Sequence, residues 1–287
     1  MIAFRLAVRN LKIFFRDKAS VFFSLLSVFI IIGLYVLFLG DTILEGMTDL
    51  GNNARFVIDS WIIAGLLATT SITTTMGAFG ILVDDKSKKI FRDFLTSPIS
   101  RTSLVIGYLL NTYIVGFVMC IITLALGEIY IVAYGGSILG FGALIKVLGI
   151  LVLSVLSSSS LVFFMVSFFQ SINAFSTACI ILGTLIGFLT GIYVPIGVLP
   201  DPIQFIIKVF PVSHGASLLR QVFMDKPFKE VFDNLPSNVL EEFKTNMGVI
   251  YKFGDYTVDF KISILYLVII TLIFGSLAIL NVSRQSK

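Results

Sequence analysis

Six stretches of nearly uninterrupted apolar residues, at roughly 20–39, 57–83, 104–134, 143–169, 174–194 and 261–282, constrain this chain more than any other feature. At about 1.5 Å per helical residue each can cross about 30 Å of hydrocarbon, and a segment in lipid must satisfy its own backbone. Membrane-spanning helices follow. Composition agrees, with 57% hydrophobic and 13% charged residues among 287 and a mean hydropathy of +1.00. The expectation is an all-α integral membrane protein of six transmembrane helices, forming one domain over 1–287. The first run is too long for the core of a cleaved signal peptide and reads as a retained span.

Positive charge assigns the sides. Arg5, Arg9, Lys12, Arg16 and Lys18 precede the first run, Lys86, Lys88, Lys89, Arg92 and Arg101 follow the second, and Arg284 and Lys287 end the chain. These flanks should be cytoplasmic, which puts both termini inside the plasma membrane and the loops 40–56 and 135–142 outside. The net charge of +4 therefore sits beside the spans, where it meets membrane lipid, and does not point to nucleic acid. Cys120 and Cys179 lie inside apolar runs and read as packing residues. A single histidine offers no His-based metal site, and no metal ligands are assigned.

Four polar or broken segments lie outside the spans. In 1–19, Arg5, Arg9, Lys12 and Arg16 share one arc of a helical wheel while Phe4, Leu11, Phe14 and Phe15 take the opposite side, the pattern of an N-terminal interfacial helix. The other reading is that these cations are positive-inside signals only. In 84–103, "DDKSKKIFRDFLTSPISR" sets Ile90, Phe91, Phe94 and Leu95 at helical spacing among charges and stops at Ser97-Pro98. That predicts a short cytoplasmic amphipathic helix, lying on the membrane or docked into a partner's groove.

Segment 195–224 is apolar, yet Pro195, Pro200, Pro202 and Pro211 cut it into pieces too short to span. It reads as a re-entrant helical hairpin, 196–209 entering and 212–223 returning; a surface loop with amphipathic helices is the other reading. The most polar stretch, 225–260, is expected outside as an insert. It carries a short helix near 236–246, with Ser237 as a candidate cap, and a strand pair around Gly254-Asp255.

Within the spans, Gly183, Gly187 and Gly191 make a smooth face for a dimer contact or for packing inside one bundle. Thr69, Thr70, Thr73 and Thr74, and Ser157 to Ser160, serve helix contacts or line a polar route. Glu128 and Lys146 lie near the outer ends of the third and fourth spans and are expected to pair, with snorkelling of Lys146 as the alternative. His214 is expected to make a structural hydrogen bond.

The order of these features, with "G-x-x-x-P-x-x-x-L-P" followed by "P-x-S-H" and "L-L-R" after the fifth span, resembles the permease family of type-2 ABC exporters (the ABC-2 type transporter transmembrane subunit). The resemblance implies that 84–103 contains a coupling helix seated in a cytoplasmic ABC ATPase subunit. Ile90, Phe91, Phe94 and Leu95 would then be the docking face, with Lys89, Arg92 and Asp93 as charged partners. Family loops often carry a Glu and a Gly-Thr pair where this chain has Lys86 to Ile90. The resemblance further implies a hairpin containing Pro195, Pro200, Pro211, His214 and Arg220, a dimer interface at the fifth span, and two permease copies with two ATPase copies. ATP and Mg would bind the partner ATPase, leaving no cofactor and no catalytic residue in this chain. The substrates implied are drugs, antimicrobial peptides, lipids or polysaccharides.

The chain has no G-x-x-x-x-G-K-[ST] loop with which to cradle phosphates. A secondary transporter would want midplane acids or broken spans, and an intramembrane enzyme would want paired acids, an activated Ser or H-E-x-x-H. Beyond Glu128 neither pattern is found; a non-transporting membrane scaffold is the remaining alternative.

Overall fold

A computed structural model describes residues 2–39, 54–232 and 237–284. The acidic part of the loop 40–56 (Asp41, Glu45, Asp49), the last residues with Lys287, and the side chains of Leu95, Ser237 and Arg284 lie outside the described residues.

Helix α1 (Ile2–Arg16) is followed by α2 (Lys18–Leu34), which a wider-wound turn, Tyr35–Leu39, extends. Next come α3 (Ala54–Ser87), the short α4 (Ile90–Thr96), α5 (Arg101–Ala133), α6 (Phe141–Ser167) and α7 (Ile172–Leu189). A single turn at Ile196–Val198 leads to α8 (Asp201–Val209), α9 (Pro211–Phe223), α10 (Asp225–Phe232) and α11 (Ser237–Asn246). A hairpin of β1 (Tyr251–Phe253) and β2 (Tyr256–Val258) precedes α12 (Phe260–Arg284). Among the described residues six helices, α2, α3, α5, α6, α7 and α12, are long and apolar enough to cross a membrane.

The bundle is built around α3, which touches α2, α5, α6, α7 and α9. Its residues are buried on nearly every side, including Trp61, Phe79 and Leu67. A helix so enclosed needs small residues where neighbours approach, and Thr69, Thr70, Ser71, Thr74 and Thr75 supply them. Their hydroxyls bond largely to the preceding turn of their own helix, as Thr74 does to Thr70 O at 2.6 Å, or reach a neighbouring span. Ser71 meets Ser158 of α6 at 3.0 Å, and Thr69 meets Thr190 at 3.2 Å. By contrast α2, α7 and α12 leave broad apolar faces exposed, among them Phe22, Phe23, Ile180, Ile181, Leu265 and Leu272. Apolar surface of that kind costs nothing against hydrocarbon or against the apolar face of another helix.

Between α7 and α12 the chain follows its prolines. Pro195 opens the turn at 196–198, Pro200 caps α8, and Pro211 is the first residue of α9, where the missing N–H is no loss. Helices α8 and α9 meet at Phe210 in a sharp corner. Helix α9 is buried from Pro211 to Arg220 against α3, α6 and α12, whereas α8 exposes Ile203, Phe205, Ile206 and Val209. The insert adds α10, a helix that the Pro and charges of "DKPFKEVF" had not suggested, and α11 followed by the hairpin, whose Gly254 turns at φ +61.

Candidate functional site

Two places concentrate polar side chains in this apolar molecule: the end carrying α1 and α4, and the hairpin beneath the insert.

At the first, Lys89 breaks α3 from α4 by adopting φ 64, a left-handed conformation rare for a side chain of its kind. Helix α4 therefore folds back under the ends of α3 and α5. Phe91 and Phe94 are half-buried against the protein's own core, and the Phe91 ring lies 6.3 Å from that of Tyr108. The apolar stripe read from the sequence is thus divided between the chain's own core and its surface. Lys88, Lys89, Arg92, Asp93 and Thr96 remain exposed, and Ile90 is half-buried. Phe91 and Phe94 of the docking face implied by the resemblance are therefore packed in part on the bundle, and the exposed positions of α4 are Arg92, Asp93 and Thr96.

Helix α1 also departs from its wheel. Leu6, Ala7, Asn10 and Phe14 are buried along α5, while Phe4 is exposed and Gly107 gives Leu6 room for close approach. Arg9 does not simply face lipid headgroups. Its Nη1 and Nη2 donate to Asp85 at 2.5 and 3.0 Å, and Asp85, 2% exposed, also accepts the Tyr108 hydroxyl at 2.6 Å. Those hydrogen bonds to Asp85 hold the Arg9 guanidinium proton more tightly than usual, although burial opposes them. The same guanidinium lies 5.8 Å from the centre of the Phe94 ring. Nearby, Asp17 caps α2 through Ser20 N at 3.1 Å, and the Ser20 hydroxyl and amide hold its carboxyl below the usual range.

A comparable knot joins the far ends of the same two spans. Asp59 of α3 accepts from Tyr130 of α5 at 3.2 Å and lies 3.7 Å from Arg55, whose guanidinium covers the Tyr134 ring at 4.1 Å. Spans α3 and α5 are thus fastened at both ends by an aspartate, an arginine and a tyrosine. Sequence reasoning missed both knots. The one available signal was an aspartate inside, or at the end of, an otherwise apolar run.

At the hairpin, Arg220 is 1% exposed and pairs with no carboxylate among the described residues. Its Nη2 donates to Thr190 O at 3.0 Å and Gly191 O at 3.1 Å, its Nη1 to Gly248 O at 3.4 Å, and its plane covers Trp61 at 4.7 Å. The reason is visible in the helix ends. Gly191, at φ +65, closes α7 with bonds from Gly191 N to Phe188 O and from Ile192 N to Gly187 O. Gly248, at φ +66, closes α11 the same way. One guanidinium therefore sits at the negative ends of two helix dipoles, which replaces the missing acid. Around it, Trp61 Nε1 donates to Met247 O at 2.7 Å, Ser217 and Gln221 to Val249 O, and Tyr251 to Ser213 O at 3.0 Å. The insert is tied to α3 through the Met247 carbonyl and to the hairpin through those of Gly248 and Val249. His214 Nε2 donates to Lys208 O at 2.9 Å, so Nδ1 accepts from Ser263 of α12 at 3.2 Å.

The three glycines of α7 have three different roles. Gly183 is open, Gly187 lies directly under the Tyr193 ring, and Gly191 is the helix cap. Gly183 borders a groove of about 420 Å³ between α2, α3 and α7, with Ser20, Ser24, Thr73, Met76, Gly77 and Cys179. Ser20 and Gly77 also line a second cavity of about 550 Å³ that reaches Arg9, Asp17, Asp84 and Asp85.

The expected Glu128–Lys146 pair is not formed. Glu128 Oε2 accepts the Leu139 amide at 2.9 Å, closing the turn between α5 and α6, and Lys146 is exposed on α6. Backbone capping needs no second side chain to be immobilised, and it holds the carboxylate away from Lys146. Its Oε1 and the Ser60 hydroxyl face a cavity of about 70 Å³.

Six spanning helices, a helical knob between the second and third, and a broken apolar hairpin before the last define an all-α integral membrane protein of transporter architecture. The family described as ABC-2 family transporter protein matches residues 42–280, and the chain belongs to it. No curated protein matches the sequence at a significant level. The chain is accordingly a permease subunit of an ABC exporter, of a family whose members associate with an ABC ATPase, dimerise, and are generally non-catalytic membrane subunits.

Proposed function

We propose that the chain forms the substrate pathway of an exporter as one of two permease copies, driven by two separate cytoplasmic ATPase subunits that bind ATP and Mg. The observation that carries this reading is α4: a charged helix held by its own apolar side against three elements, presenting Lys89, Arg92 and Asp93 to a partner. Such an arrangement supports a coupling helix on the cytoplasmic face of the plasma membrane, with both termini on that side. The exposed apolar faces of α2 and α7 beside the Gly183 cleft support a second copy there, with the cleft as the route for cargo. Hydroxyls on an otherwise apolar lining suit an amphiphilic substrate such as a drug, antimicrobial peptide or lipid. Segment 195–224 acts as the re-entrant hairpin at the outer exit, capped by 225–260, with Pro195, Pro200, Pro211, His214 and Arg220 shaping it.

The test is reconstitution. The purified chain in liposomes is expected to hydrolyse no ATP, and the complex with its ATPase to hydrolyse it until EDTA removes Mg. Hydrolysis by the chain alone, or failure of any ABC ATPase to bind it, would refute the assignment.

A further inference from the structure

The two aromatic residues of α4 each rest on one of the two side chains that hold Asp85. Phe94 lies under the Arg9 guanidinium, at 5.8 Å, and Phe91 lies against the Tyr108 ring, at 6.3 Å. Arg9 belongs to α1, Tyr108 to α5 and Asp85 to α3, so a displacement of α4 meets three elements at one carboxylate. Because that carboxylate is almost fully buried and its three hydrogen bonds come from two helices, releasing either partner would strand a charge away from water.

Resting on the coupling role given to α4 above, we propose that Asp85 is a positioning residue: the Arg9–Asp85–Tyr108 cluster is a permanently closed joint that makes α1, α4 and the ends of α3 and α5 move as one body, converting nucleotide-driven motion of α4 into motion of the spans. The joint does not bind the ATPase. Neither Asp85 nor Tyr108 is exposed, whereas the charges of α4 that reach outward are Lys89, Arg92 and Asp93. Two other charged groups of this end, Asp84 and Lys88, are joined to each other at 2.7 Å and leave Asp85 to Arg9.

The chain contains its own reporter. Cys179 lines the cleft between α2, α3 and α7, while the other cysteine, Cys120, is fully buried. In the wild-type complex with its ATPase, trapping with Mg-ATP and vanadate should change the rate of Cys179 modification by a maleimide at least threefold. Asp85→Asn and Arg9→Met should keep the ATPase bound and hydrolysing, yet reduce that change to less than about 1.5-fold; Tyr108→Phe, which removes only a hydroxyl, should fall between. The exchange Arg9→Asp with Asp85→Arg should restore at least half of the response, which a residue needed only for folding bulk would not do. A full response in Asp85→Asn, loss of ATPase binding in that variant, or no recovery in a folded exchange variant would each overturn the joint. A wild-type complex with no response to nucleotide would overturn the ATP-driven reading, and the joint with it.

Discussion

Arg220→Met should be the most damaging single substitution in the chain, lowering stability by about 3 kcal/mol, the scale of one or two lost hydrogen bonds to a charged group. Methionine matches only the aliphatic stem and cannot donate. Its removal leaves the carbonyls of Thr190, Gly191 and Gly248 buried without that donor, and Trp61 loses the cation over its ring. Burying a guanidinium has its own cost, and relief of that cost is why the loss is not larger. Because α7 and α11 both end at this side chain, the effect should be spatially specific: cleavage by protease near 247–250 should rise more than cleavage elsewhere. Arg220→Lys keeps the charge but offers a single point of contact, and should recover less than half of the stability. Thermal unfolding in detergent measures both. An Arg220→Met protein as stable as wild type would mean that the two helix ends do not need their shared cap.

Lys89→Glu combined with Arg92→Glu should reduce copurification of the ATPase more than tenfold. The exposed charges around α4 are Lys88, Lys89, Arg92 and Asp93, net +2, and each reversal subtracts two, giving −2. Like charges across a docking surface cost several kcal/mol and slow encounter. The variant should remain folded, since neither side chain packs in the core, which thermal unfolding can verify. Substituting Phe91 or Phe94 should act differently, lowering stability first, because these rings pack on the bundle. Unchanged copurification in the double reversal would remove α4 charge from the interface.

Much of this architecture was legible in the letters because its causes are local. Apolar length gives the spans, Pro195, Pro200 and Pro211 give the starts of short helices, and Gly254-Asp255 gives the hairpin turn. Periodicity also found α4, but not which way it faces. A stripe of Ile90, Phe91 and Phe94 reads the same whether it meets a partner or the chain itself, and only the contacts with Tyr108 and Arg9 distinguish the two. The Arg9–Asp85 contact joins residues 76 apart in sequence, and no spacing rule reaches that far. Glu128 was recognised as unusual within its span, yet its partner is a main-chain amide that carries no letter of its own. The glycine repeat marks the face, but one periodic signature covers an open position, a close contact and a helix cap.

The central claim, that α4 faces a nucleotide-driven partner in the cytoplasm, is tested most directly by Arg92→Cys. Labelled with a membrane-impermeant maleimide, the introduced thiol should react in inside-out vesicles and not in intact cells, and bound ATPase should shield it. Reaction from outside the cell, or equal reaction with and without the ATPase, would contradict the account.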